Sequence, residues 1–327
     1  MMFLLESLVV LLLAGYLAKK KGWGPFKGKG FEQRTVSVGG GLMAYLEGSR
    51  KGTTVLLLHG FAGDKEQWRE VGRLLEKYDY RVIVPDLPGF GANYRDPEAQ
   101  YDAPSLAKHL RSFVSKAEIG MFHLVGHGIG ATIAASYAYA FPIEIASLTL
   151  IEPLGITAPS DSELDRMLAK RRNPFLVATT SAYDTLFAFL TAKTPTMSAA
   201  DKKRRAETLI AGRGFYQQVW AQQMEGERGG LLDMLLPAMD MRMLLVFGAR
   251  SRVVARMTPE VVGRRMEGKP VQTVVLPDCG HWLMLEKPQE LVDVCVPFFR
   301  RAKVPGAESA RERPAPDTET EGATKGL

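Results

Sequence analysis

The sequence is poor in cysteine. Cys279 and Cys295 are its two thiols in 327 residues, and their separation fits no metal-ligand pattern. They read as buried or incidental thiols and make no case for an oxidising compartment. A nucleotide-binding loop is also missing. The glycine turn "GHGIGA" lacks the Lys-Ser/Thr of a P-loop and the spacing of a dinucleotide turn. No repeat occurs at solenoid or propeller periods. The basic residues lie in short clusters, Lys19–Lys21, Lys170–Arg172 and Lys202–Arg205, without interleaved aromatics. With a net charge of +6, that pattern favours anionic lipid headgroups over nucleic acid. No cofactor, metal or nucleic-acid partner is expected.

What is present begins with an apolar run. Residues 1–18, "MMFLLESLVVLLLAGYLA", carry Glu6 as their only charge. No basic residue precedes the run, as a secretory signal requires, and three lysines follow it. Eighteen residues is at the short end for a membrane-spanning helix. The lysines then place the remainder in the cytoplasm. A basic linker (19–30) follows. At the other end, residues 302–327 are rich in Pro, Gly, Glu and Thr and poor in large apolar residues, which predicts a disordered tail.

Between the ends, short apolar runs alternate with helical patterns. "TTVLLLHG", "YRVIVPDLPG", "MFHLVGHG", "ASLTLIEP", "RMLLVFG" and "VQTVVLPD" read as strands buried on both faces, hence a mostly parallel sheet. An alternating segment, "RTVSVGGGLMAYLEG", predicts an antiparallel hairpin at its edge. The fold class is α/β, a doubly wound sheet of eight strands spanning 31–301. The alternation lapses over about 156–237, where several helical segments and no strand are read. That stretch predicts a helical cap over the strand ends, with its basic clusters turned toward the membrane.

"LLLHGFAGDKEQW", "VIVPDLPGFG", "LVGHGIGATIAASYA" and "LPDCGHWLMLEKP" stand in an order and spacing that resemble the α/β-hydrolase fold family, in particular its membrane-anchored monoacylglycerol lipase and esterase group. The resemblance covers roughly 31–300. It implies a nucleophilic serine in G-x-S-x-G, an acid, and then a histidine. His281 matches the base. The nucleophile position holds Gly128. The acid position after the seventh strand holds Ser251, with Glu152 as a possible substitute acid or simply a hydrogen-bonded carboxylate at a strand end. The resemblance assigns the oxyanion hole to the backbone N–H groups of Phe61 and Ile129, beside His59–Gly60. Ser136 and His127 are poor replacements for the missing hydroxyl, and Asp278 is poorly placed to act as the acid.

Covalent catalysis needs a nucleophile. The expected function is therefore a membrane-anchored pseudohydrolase that binds an apolar or acyl small molecule, or a protein partner. The alternative is a weakly active lipase or esterase-type hydrolase in which His281 activates water. Loss of both serine and acid implies that restoring chemistry requires Gly128→Ser together with Ser251→Asp.

Overall fold

The computed structural model describes residues 30–302, apart from Gly229. The predicted anchor, linker and tail lie outside the described residues, except for Gly30 and Ala302 at their inner edges. The domain opens with the expected hairpin, β1 (Glu32–Val38) and β2 (Gly41–Glu47), antiparallel and turning at Gly39–Gly40. There follow β3 (Thr54–Leu58), α1 (Arg69–Glu76), β4 (Arg81–Pro85), α2 (Ala103–Lys116), β5 (Phe122–His127), α3 (Ile129–Ala140) and β6 (Ile145–Ile151). The eight-stranded sheet has the order β1-β2-β4-β3-β5-β6-β7-β8. β2 pairs antiparallel with β4, and every pairing beyond that is parallel.

The apolar runs form the middle of this sheet because helices cover both faces. Every residue of β3 and β5 is buried. α2 presents Leu106, Leu110, Phe113 and Val114 inward at helical spacing. Asp102 caps it by accepting from the Ser105 amide. α3 is buried from Ile129 through Ala138, and its run of Gly, Ala and Thr lets it lie close to the sheet. The two outermost glycines of the elbow follow from that closeness. A Cβ on Gly126 would sit 2.2 Å from the Gly130 carbonyl oxygen, and one on Gly130 would sit 2.4 Å from that of His59.

One strand departs from the reading. "VQTVVLPD" was expected to be buried on both faces, but β8 (Val271–Leu276) is the edge of the sheet, and five of its six residues are only partly buried or exposed. An apolar run does not distinguish a central strand from an edge strand covered on one side.

Between β6 and β7 (Met243–Gly248) lie α4 (Glu163–Ala169), α5 (Thr180–Leu190), α6 (Ala199–Ala211), α7 (Arg213–Arg228) and α8 (Leu231–Leu235), with no strand among the described residues. Ser162, Thr179 and Ser198 cap the first three through their side chains. After β7 come α9 (Thr258–Arg265), β8, α10 (Leu283–Glu286) and α11 (Pro288–Arg300). The basic cluster on α6 does not turn outward as a whole. Arg205 pairs with Asp64 at 3.2 Å, Arg204 with Asp201 at 3.5 Å and Lys202 with Asp184 at 2.7 Å. These carboxylates, distant in sequence for Asp64 and Asp184, draw the cations inward or along the surface.

The loops after β3 and β4 are tied together by a buried ion pair. Lys65 Nζ and Asp86 Oδ2 are 2.7 Å apart and both fully buried. The Lys65 and Ala92 amides also donate to the Asp86 carboxylate. Satisfying several of its lone pairs is what makes a buried charge tolerable.

Candidate active site

Gly128 follows β5 and caps α3, with φ 55° and ψ −120°. That backbone suits glycine and strains other residues. There is nevertheless room for a side chain. An ideal Cβ would lie 3.5 Å from His281 Nε2, 3.6 Å from Gly60 Cα and 3.8 Å from His281 Cε1. The histidine faces the position from which the resemblance expects an attacking hydroxyl, and the oxyanion loop abuts it.

Three groups hold His281. Its amide donates to the Leu190 carbonyl at 2.8 Å, linking the histidine turn to the cap helix α5. Its carbonyl accepts from His127 Nε2 at 2.9 Å. Its Nδ1 meets Glu152 Oε2 at 2.9 Å. The substitute acid is therefore the partner that the geometry provides. Ser251 does not meet the imidazole; its hydroxyl donates to Glu152 Oε2, while the Gly248 amide donates to Oε1 at 2.7 Å. Of the two readings of Glu152, substitute acid or simple strand-end carboxylate, the contact with Nδ1 is what the first requires: its carboxyl, just past the end of β6, stands against the imidazole. Glu152 itself has φ 49°, unusual for a residue with a side chain. Asp278 is exposed and pairs with Arg250 at 2.5 Å, away from the imidazole.

Burial decides the protonation of this pair. It lowers His281 to about 3. Burial raises Glu152 to about 8, against the opposing pull of the Ser251 and Gly248 hydrogen bonds. With Ser251 and Gly248 already donating, the Glu152–His281 contact holds one hydrogen. When Glu152 is protonated it donates to Nδ1, and the imidazole hydrogen stands on Nε2, facing Gly128. When Glu152 is ionised, Nδ1–H donates and Nε2 is a bare base. One dyad thus offers either a donor or an acceptor to the space above Gly128.

The other two histidines of the site are structural props. The Leu87 amide donates to His59 Nε2 at 2.9 Å, so Nδ1 carries the hydrogen and donates to the Gly60 carbonyl at 2.8 Å. His127 packs beside the oxyanion loop as expected: a Cβ on Gly60 would be 2.6 Å from its Nδ1. Its bond to the His281 carbonyl was not anticipated, because it joins residues 154 positions apart. Ser136 is buried, and its hydroxyl donates to Thr132 on the same helix.

Within the described residues, the Phe61 amide donates no hydrogen bond, and the Ile129 amide opens α3, where no intrahelical acceptor exists. Phe61 anchors an aromatic wall, with ring centroids 5.0 Å from Trp220, 5.5 Å from Phe90 and 5.7 Å from Phe175. No sequence periodicity signals this cluster, since Trp220 and Phe175 come from the cap. Beyond Glu152, a cavity of about 250 Å³ opens between the ends of β6 and β7 and the cap, lined in part by Ile156, Leu164, Leu168, Met224 and Val254.

The sheet order, the elbow and this histidine–carboxyl pair define an α/β hydrolase architecture, and comparison with known proteins agrees. The α/β hydrolase fold family model matches residues 53–288. The chain belongs to that family. It is 25% identical to Lipase 1 of Psychrobacter immobilis, over 78% of this chain and 79% of the lipase. It is also 25% identical to a monoacylglycerol lipase of Xenopus laevis, over 83% and 82% of the respective chains. A crystal structure described as a membrane phospholipase A, a novel bacterial virulence factor, superposes with a TM-score of 0.79 at 29% identity. It covers 96% of this chain and all of that one.

Proposed function

We propose that this protein is a membrane-anchored α/β hydrolase that has kept an acyl-binding site and given up covalent catalysis, so that it holds a lipid-like acyl ligand or a protein partner. The observation that carries this is Gly128 itself, which puts a hydrogen where an attacking hydroxyl would face His281 Nε2 at the range seen for the missing Cβ. The hydroxyls considered as replacements are engaged elsewhere, Ser136 with Thr132 and Ser251 with Glu152. The lipase relatives support an acyl ligand. The membrane phospholipase A likeness supports membrane association, and the apolar run 1–18 followed by Lys19–Lys21 supports an N-terminal anchor with the domain on the cytoplasmic side. No helix among the described residues is long and apolar enough to cross a membrane.

A second reading is favoured by the intact Glu152–His281 contact: the bare Nε2 activates a water in the space above Gly128. General base catalysis of this kind contributes about 10²–10⁴-fold. Steady-state hydrolysis of p-nitrophenyl octanoate separates the two. The first reading expects the same rate for the unmodified protein and for His281→Ala. Turnover that depends on His281 and shows no acyl-enzyme burst selects the second.

A further inference from the structure

A carboxylate differs from an ester carbonyl in having two equivalent oxygens that share a charge. In the arrangement the family resemblance describes, a serine hydroxyl occupies the place that the second oxygen would need. Here that place is open, with no heavy atom within 3.5 Å of the absent Cβ. The space lies at the N-terminus of α3, a helix of twelve residues whose orphan amides and dipole favour an anion. A second, independent feature points into it. His281 is 3% exposed; its Nδ1 is engaged by Glu152, and its Nε2 has no partner among the described residues and is aimed at Gly128. The aromatic wall on Phe61 gives the adjoining volume an apolar character.

We infer that the space above Gly128 is a binding site for an aliphatic carboxylate, with one oxygen on the Phe61 and Ile129 amides and the other in the place of a serine hydroxyl, bonded to His281 Nε2. This deepens the acyl-binding reading above and rests on it. Replacement of serine by glycine is then the change that turns an ester site into a carboxylate site. Burial of Glu152 in its protonated form removes the obstacle of a second negative charge and places a hydrogen on Nε2. A neutral carbonyl uses only the two amides, and an alcohol uses neither pair fully.

The test is calorimetric titration of the full-length protein with octanoate, octanamide and octan-1-ol at pH 7. Octanoate binds at least about tenfold more tightly than the other two, as the loss of a charge-assisted hydrogen bond predicts. Gly128→Ser weakens octanoate by at least about tenfold and leaves octan-1-ol within about threefold. Equal affinity for all three ligands, unchanged by Gly128→Ser, overturns the carboxylate site while leaving the acyl-binding reading in place. Absence of binding by all three removes both. If circular dichroism finds Gly128→Ser unfolded, His281→Phe takes its place. It weakens octanoate selectively by the same factor, and an equal loss for octanoate and octan-1-ol overturns the assignment.

Discussion

At Gly128 the conformational and chemical consequences of a single hydrogen separate cleanly. A Cβ meets nothing closer than 3.5 Å, so Gly128→Ala costs stability through its backbone alone. With φ 55° and ψ −120° the cost is about 1–3 kcal/mol, measured as a lowered urea midpoint at constant slope; an unchanged midpoint would mean the elbow is unstrained. The dyad makes a second residue-scale prediction. The donor form of His281 Nε2 exists while Glu152 is protonated, so octanoate affinity is flat between about pH 6, where the ligand is ionised, and about pH 8, and falls up to tenfold per unit above that. Rising affinity above pH 8 would contradict the assigned hydrogen. The elbow, His281 and the oxyanion loop were legible in the sequence because each sits in a local motif. The choice between Ser251 and Glu152 was not. The two lie 99 positions apart and meet in one hydrogen bond, and only the twist of β6 and β7 decides which reaches the imidazole. For the same reason the sequence pairs two repairs, Gly128→Ser and Ser251→Asp, whereas the Glu152–His281 contact leads us to expect activity from the first alone.

Among the elements, the histidine turn and the cap are bound to each other at Glu286 on α10. Its carboxylate accepts from the amides of Gly280, Ala192 and Lys193, at 2.9, 2.8 and 3.0 Å. One side chain therefore fixes the loop that carries His281 and the chain leaving α5. Glu286→Gln replaces one acceptor oxygen by a donor facing an amide. The expected effect is a loss of about 1–3 kcal/mol and faster hydrogen exchange at Gly280, Ala192 and Lys193. Exchange unchanged at all three would show that the contact is incidental. The helical segment between β6 and β7 was readable from the missing strand signal over 156–237. Its side-chain packing was not. The cluster Lys202–Arg205 reads as a solvated or lipid-facing patch until Asp64, more than a hundred residues earlier, is seen against Arg205.

For the whole molecule, buried imidazoles set the response to acid. Burial lowers His281 and His123 to about 3, and His127 and His59 are lowered as well. Each takes up a proton near 6.5 once unfolded but not while folded. Their contribution is therefore full above about 6.5 and is lost as pH falls, down to about 3 for His281 and His123 at roughly 1 kcal/mol per unit each, with His127 and His59 acting in the same direction. Glu152 opposes this, since its raised value favours the folded state below about 8. The four imidazoles outweigh one carboxyl, so the urea midpoint falls between pH 6.5 and 5. A midpoint that rises over that interval would mean these histidines are charged in the fold. The α/β class, the hairpin and the eight-strand sheet were all legible in the alternation of apolar runs. The edge position of β8 was not, since burial on one face or two leaves the same run of Val and Leu.

The central claim is that the site is assembled and lacks only its attacking group. The most direct measurement is labelling by a fluorophosphonate probe at about pH 9, where Glu152 is ionised and Nε2 is a bare base, of the folded, unmodified protein and of Gly128→Ser, each with and without His281→Ala. The account predicts no labelling of the unmodified protein, labelling of Gly128→Ser at residue 128, and loss of that labelling when His281 is also replaced. Labelling of the unmodified protein, or a folded Gly128→Ser that stays inert, would contradict it.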